Sequence, residues 1–367
     1  MLVAWQPSRV AFQTLMLVPS LVDLGLQPLA LAPQPAHTVI QYGAAGEERL
    51  PADLWLPAGA AADRQVGAIV VVYGVNSRGR AHPALIRVAD AVARTGVAVL
   101  VPDLPTLDQS RLVPAEVERI VAAFQALAAR PEVDPDRVSV VGISAGGSLA
   151  LRAVADPRIA DQVDWIAVFG AYADASEMVA DVAAHAYELD GYTIPWEPAL
   201  LARQVIFATL LELVTDRGDR TLLRDRYRAP LGAGVHPIRV ATGPAPRSAV
   251  GRAVEAIVTA DTLDEAQAAI AASPAAIRDL FAGLTPVTEV AGLRCRVYLM
   301  HEVSDHHVPY AQSREMAAAL EAAGVEHRLG EFRLFDHVQP ETQDLVAAAP
   351  ELWKLLWYLQ GVLADTL

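Results

Sequence analysis

The 367-residue sequence has one lysine (Lys354), one asparagine (Asn76) and one cysteine (Cys295). A lone cysteine allows no internal disulfide and no cysteine-based zinc site, which excludes a disulfide-stapled secreted scaffold. Charge is sparse as well. Only 20% of residues are charged, and 43 acidic residues outnumber 29 basic ones, for a net charge of -14. A nucleic-acid binder needs basic side chains to displace counterions from phosphates, so that class is excluded too. Nearly all the basic residues are arginine, a bias that fits a GC-rich genome; the scarcity of asparagine also fits a warm habitat where labile amides are avoided. What the chain has in quantity is apolar side chains, 53% of the total. That is enough for a large core and far too much for disorder.

Residues 11–32 carry a single charge, Asp23, and are nearly long enough to span a bilayer. Pro19, Pro28, Gln13, Ser20 and Gln27 argue against a span. Arg9 ahead of the run and Ala30-Leu31-Ala32 behind it resemble a secretory signal, although Pro33 would hinder cleavage there. Three readings of residues 1–37 stay open: a helix packed on the protein itself, a membrane-surface contact, or a signal or anchor. Location follows suit: cytoplasmic, with membrane association or export open.

After the extension the sequence alternates strands with helices. Residues 37–42 and 50–56 alternate apolar with polar and predict an antiparallel hairpin. Val66 to Tyr73 is a β-branched run, the mark of a strand buried on both faces. A helix over 83–94 ends at Gly96, and strands follow over 97–101, 138–143 and 165–169, with helices over 113–129 and 144–154 and a turn at Asp134-Pro135-Asp136. Two more strands, over 296–300 and 327–334, each precede a helix. The pattern predicts a mostly parallel, doubly wound α/β sheet. Between 172 and 290 the strand-like runs vanish, helices are predicted over 177–187, 198–215, 249–260 and 263–272, and the Gly/Pro-rich stretch 232–246 reads as a loop. The division expected is an extension (1–37), a core (38–171 and 291–367) and a helical cap inserted in it (172–290).

Four local features carry chemistry. Gly142-Ile143-Ser144-Ala145-Gly146 follows a buried strand and opens an apolar helix, the strand–turn–helix setting a nucleophilic serine needs. The flanking glycines suit a tight turn in which a Cβ would clash with adjacent backbone, and the helix N-terminus favours negative charge nearby. Tyr73-Gly74-Val75-Asn76 ends the 66–73 strand. Tyr73 and Asn76 are candidate pocket residues, and Asn76 is equally a cap for the following turn. His301-Glu302-Val303-Ser304-Asp305-His306-His307-Val308-Pro309 follows a strand. Its opening His-Glu begins like a zinc helix motif, but the fifth position is Asp305 and the segment leaves a strand, so a two-ligand helix face is not made. Asp305 is the candidate acid, with Glu302 as fallback and His306 or His307 as a pocket residue. His337, on the loop after the last strand and 32 residues beyond Asp305, is the candidate general base.

The order Ser144, Asp305, His337 resembles that of the α/β-hydrolase superfamily, and the phrase at 301–309 is similar to the acid loop of its dienelactone-hydrolase-like and prolyl-oligopeptidase-like serine hydrolases. The likeness covers residues 38–171 and 291–367. At Tyr73 the sequence departs from the family's usual His-Gly, whose following amide makes half of the oxyanion hole; the resemblance implies that the amides of Val75 and Ala145 face the oxyanion, an effect worth about 3 kcal/mol per donor. The resemblance implies a serine carboxylesterase: Ser144 attacks a carbonyl, His337 takes its proton, Asp305 steadies the imidazolium, and no cofactor or metal is required. Apolar and aromatic residues of the 172–290 segment suggest a small-to-medium hydrophobic ester as substrate partner. A serine peptidase or acylaminoacyl hydrolase, a membrane-surface lipase, and a non-catalytic binding protein are the rivals. A homo-oligomer stays open.

Overall fold

The computed structural model describes residues 6–21, 28–43, 48–234, 236–237, 242–337, 339–340 and 348–366. The first described element is α1 (Gln6–Leu21), which contains Pro19. It then forms β1 (Ala36–Tyr42) and β2 (Leu50–Leu56), antiparallel with Ala36 opposite Leu56, as the alternating pattern predicts. The β-branched run becomes β3 (Val66–Val72), with six of its residues buried in succession. Helix α2 (Pro83–Arg94) starts with proline where the missing N–H costs nothing, and His82 Nδ1 accepts the Ala84 amide at 3.3 Å. It stops just before Gly96.

The doubly wound part continues with β4 (Ala98–Pro102), α3 (Pro105–Asp108), α4 (Ala115–Ala128), β5 (Val133–Ile143), α5 (Ala145–Val154) and β6 (Val163–Phe169). Asp134-Pro135-Asp136 lies inside β5 rather than in a turn. Val66 pairs with Val133 and Ala68 with Val138, so these polar residues bulge from the ladder and β5 resumes beyond them.

Among the described residues, six α-helices follow before the next sheet strand: α6 (Ala175–Ala184), α7 (Leu200–Glu212), α8 (Arg217–Gly232), α9 (Ala249–Val258), α10 (Leu263–Ala271) and α11 (Ala275–Leu284). Between α6 and α7 a hairpin of β7 (Ala186–Leu189) and β8 (Tyr192–Pro195) corrects the expectation of a strand-free segment; three of the four β8 residues are polar or proline, so no apolar run announces it. Helix α8 takes up Gly232, predicted as loop, and much of the 232–246 loop lies outside the described residues. The chain returns to the sheet with β9 (Arg296–Glu302), α12 (Ala311–Ala322) and β10 (His327–Phe332). The short pair β11 (Phe335–Asp336) and β12 (Gln339–Pro340) and the last helix α13 (Ala349–Thr366) complete it.

The main sheet has eight strands in the order β1-β2-β4-β3-β5-β6-β9-β10. Strands β1, β2 and β4 pair antiparallel, and all pairs from β4 to β10 are parallel. Parallel strands need cover on both faces. Helices α4 and α5 pack together over one, while α2 and α13 cover the other, with α1 lying against both. The N-terminal helix thus packs on the protein itself. It buries Leu17 and Val18, leaves Phe12 and Leu15 exposed, and Gln13 Nε2 donates to the Thr95 carbonyl at 2.8 Å. Among the described residues no helix is long and apolar enough to cross a membrane.

Candidate active site

The three candidate residues leave the sheet at one edge. Ser144 sits between β5 and α5 with φ +54° and ψ -136°, a strained conformation for any residue with a Cβ. The turn is fixed by the Ser144 amide, which donates to the Phe169 carbonyl at 2.7 Å, and by close approach of backbones. A Cβ on Gly146 would lie 2.1 Å from the Tyr73 carbonyl oxygen, so only glycine fits there. The motif therefore locks the serine's turn against the end of β3.

Asp305 lies on the loop after β9 and is 3% exposed. Its Oδ2 is 2.5 Å from His337 Nδ1, and its Oδ1 accepts the amides of His307 at 2.6 Å and Val308 at 3.1 Å. His301 braces the same loop: Nε2 donates to the Val308 carbonyl at 2.9 Å and stands 3.4 Å from Asp305 Oδ2, while Nδ1 meets Ser313 Oγ at 2.6 Å. Burial alone would raise the Asp305 carboxyl. The His337 ring, aided by His301, outweighs burial and holds the group far below the usual carboxylate range. Asp305 is therefore a fixed anion beside an imidazole.

His337 also has a left-handed backbone, φ +55°, and is buried. Its ring rests on Gly170, where a Cβ would come within 2.7 Å of Cε1, and stacks on His307 at 4.6 Å between centroids. The other ring nitrogen, Nε2, is buried and makes no hydrogen bond to a described residue. Ser144 and His337 line the same cavity, of about 480 Å³. They do not hydrogen-bond to each other, and such contacts commonly tighten only with substrate present. The amides of Val75 and Ala145, at the same end, bond to no described residue.

Glu302 has a different job from the acid considered above. It is fully buried; Oε2 accepts the amides of Leu334 and Phe335 at 2.7 and 2.9 Å, and Oε1 accepts Ser304 Oγ–H at 2.9 Å. It therefore anchors the loop that carries His337. Asp305, His307 and His337 also bring potential ligand atoms within 4.8 Å of one another. Both Asp305 oxygens are already engaged, Oδ2 by His337 and Oδ1 by two amides. Cys295 is buried, and burial pushes its thiol up to about 12, so it offers no thiolate.

Two pocket candidates have their polar atoms tied into turns. Asn76 Nδ2 donates to the Gly74 carbonyl at 3.2 Å and Oδ1 accepts the Arg78 amide at 3.0 Å, so it caps the turn while lining the cavity. The Tyr73 hydroxyl accepts the Leu104 amide at 2.7 Å and donates to Asp108 at 3.0 Å. The residue at the usual histidine position thus straps β3 to the loop after β4. The inserted segment reaches the acid loop through Trp196, whose Nε1 donates to the Asp305 carbonyl at 2.8 Å. The Ala199 amide donates to the His306 carbonyl at 2.6 Å. The sequence offered no signal for these bonds beyond a tryptophan in a polar stretch.

No protein family pattern matches the sequence, and none of the curated proteins matches it. Solved structures do resemble the fold. A putative dipeptidyl aminopeptidase IV from Bacteroides ovatus is 14% identical with a TM-score of 0.53, over 91% of this chain and 37% of that one. An acylaminoacyl peptidase is 13% identical with a TM-score of 0.50, over 83% and 38%. A 2,6-dihydroxy-pseudo-oxynicotine hydrolase is 17% identical with a TM-score of 0.50, over 91% and 68%. The fold is that of the α/β-hydrolases. Against the two peptidases the chain spans little more than a third of the partner's length. Within the α/β-hydrolase sheet, Ser144 follows β5, Asp305 follows β9 and His337 follows β10.

Proposed function

We propose that the protein is a serine hydrolase of carboxylic esters that works through an acyl-enzyme on Ser144. The observation that carries this reading is the coincidence, at one cavity, of a strained serine on a strand–helix turn and a buried histidine locked by Asp305 at 2.5 Å. Ser144 Oγ attacks the ester carbonyl carbon and His337 Nε2 accepts its proton. Asp305 holds Nδ1 and stabilises the imidazolium. The amides of Val75 and Ala145 receive the oxyanion. Collapse of the tetrahedral adduct breaks the ester C–O bond, and His337 returns its proton to the leaving alcohol. A water then gives its proton to His337 and its hydroxide to the acyl carbon, which frees the acid and regenerates Ser144.

The same relay serves a peptidase or acylaminoacyl hydrolase, and the names of the similar structures favour that second reading as strongly. Comparing p-nitrophenyl esters with aminoacyl anilides separates the two: the ester reading expects the esters to be turned over and the anilides to be slow. Labelling by a fluorophosphonate that disappears in Ser144→Ala supports the nucleophile, and labelling unchanged in that variant overturns it.

A further inference from the structure

The 480 Å³ cavity extends beyond the catalytic residues in two directions, under α6 and α7 at Met178, Leu201 and Val205, and down the face of the sheet that α2 and α13 cover. Its floor consists of the odd-numbered side chains of three central strands, which the register sets side by side: Val71 opposite Val141, Val141 opposite Ala167, and Ile143 opposite Phe169. Such positions at the centre of a parallel sheet are expected to be sealed by helices. Here Val141 and Ile143 are only half-buried, although Val140 and Gly142, which alternate with them along the strand, are buried. Helices α2 and α13 therefore stand off from the sheet, and the small side chains Ala89 and Ala167 leave the space between them open.

Polarity along the cavity is one-sided. Ser144, His337, His307 and Asn76 line it at the strand ends, and His82 and Arg87 line it from the N-terminal half of α2, whereas its deeper wall is built from side chains such as Ile69, Trp165, Val92 and Val362. Leu17 of α1 and Leu363 of α13, buried in one cluster, belong to that apolar wall. From Phe169 to Trp165 the strand descends about 13 Å. A cavity of about 150 Å³ with similar walls holds one benzene, so this one accommodates on the order of 15–20 carbon atoms. A mostly apolar space that has a nucleophile at one end and its polar lining there and on the first turns of α2 matches a molecule with a reactive carbonyl and a long hydrocarbon tail.

We infer that the space between the sheet and helices α2 and α13 is a channel for a long unbranched alkyl chain, so that the ester cleaved at Ser144 is a long-chain one. The inference rests on the hydrolase reading above and makes its substrate class specific. Helix α1 supplies part of the channel's apolar wall through Leu17.

Two arms test it. p-Nitrophenyl esters from acetate to palmitate place the chain on the acyl side, and acetate esters of ethanol to hexadecanol place it on the alcohol side. In one series kcat/KM rises at least tenfold with chain length. Ala89→Phe and, as a second variant on a different element, Ala167→Phe lower the long-to-short ratio at least tenfold. In parallel, Ser144→Ala protein binds palmitate by calorimetry, and adding Ala89→Phe abolishes that binding. If Ser144-dependent hydrolysis of short esters shows no gain in either series and palmitate does not bind, the channel is wrong and the hydrolase stands. If palmitate binds and Ala89→Phe blocks it while wild type cleaves no ester, the channel stands and the ester reading falls.

Discussion

Glu302 Oε2 accepts the backbone amide of Leu334 at 2.7 Å, and this bond ties the strand that delivers Asp305 to the loop that delivers His337. The acid and the histidine are 32 residues apart, and their 2.5 Å contact requires both loops to hold position. Glu302 is a positioning residue for that pair.

Replacing Glu302 by alanine leaves two buried amides unpaired, at about 1–3 kcal/mol each. The expected outcome is a drop in kcat of roughly tenfold or more with KM little changed, and partial recovery in Glu302→Gln, which keeps one acceptor oxygen. Steady-state kinetics with melting curves check this. A kcat equal to wild type in a folded Glu302→Ala protein would contradict it.

Asp305→Asn keeps the size of the side chain but removes the anion that fixes His337. On the proposed mechanism kcat falls by about 10⁴, as for the corresponding change in other serine hydrolases. The variant remains folded, which circular dichroism verifies. An activity within tenfold of wild type would remove Asp305 from the relay.

Gly146→Ala sets a methyl group 2.1 Å from the Tyr73 carbonyl oxygen, and both partners are backbone-fixed. Overpacking of this kind costs about 1–3 kcal/mol or more. We expect a lowered melting temperature and loss of fluorophosphonate labelling as the Ser144 turn opens. A variant as stable and as reactive as wild type would show that the turn is looser than its geometry indicates.

The carboxyl of Asp181 on α6 is pushed up to about 8, chiefly by burial and then by Glu177, and that of Glu315 on α12 likewise to about 8, chiefly by burial and then by Glu177. An acid whose pKa is higher folded than unfolded holds its proton more tightly in the folded state. Its stabilising effect is therefore complete below the ordinary value of about 4 and is lost as pH rises to about 8. The melting temperature is expected to fall by on the order of 3 °C or more between pH 6 and pH 9, and Asp181→Asn to flatten the fall. A slope of the opposite sign, or one unaltered in the variant, refutes the assignment.

Much of this architecture is legible in the sequence because buried parallel strands leave unbroken β-branched runs, as at Val66–Val72, and because the turn at Ser144 admits only glycine at position 146. The candidate residues stand out for a related reason: Ser144, Asp305 and His337 each lie within a few residues of the end of a sheet strand, and strand ends can be counted. Other features leave no such trace. Helix α8 buries only Asp219, Leu223, Tyr227 and Leu231 among many charged residues, too thin a stripe to stand out. The sequence does not distinguish a pocket role for Asn76 from a capping one, because its amide bonds on both sides to backbone within its own turn. Glu302 resembles a spare acid because its partners are backbone amides, which no residue type announces. The channel is hidden for a further reason: it depends on how far α2 and α13 stand from the sheet, a distance set by many side chains together.

The placement of Leu17 gives the first helix a role that its apolar composition did not suggest. If part of the wall against the chain's tail is contributed by α1, then α1 is a ruler, and the length it measures can be edited apart from the chemistry. Shortening Leu17 to alanine would shift the preferred tail by a carbon or two, whereas the elements bearing Ser144, Asp305 and His337 would be left as they are.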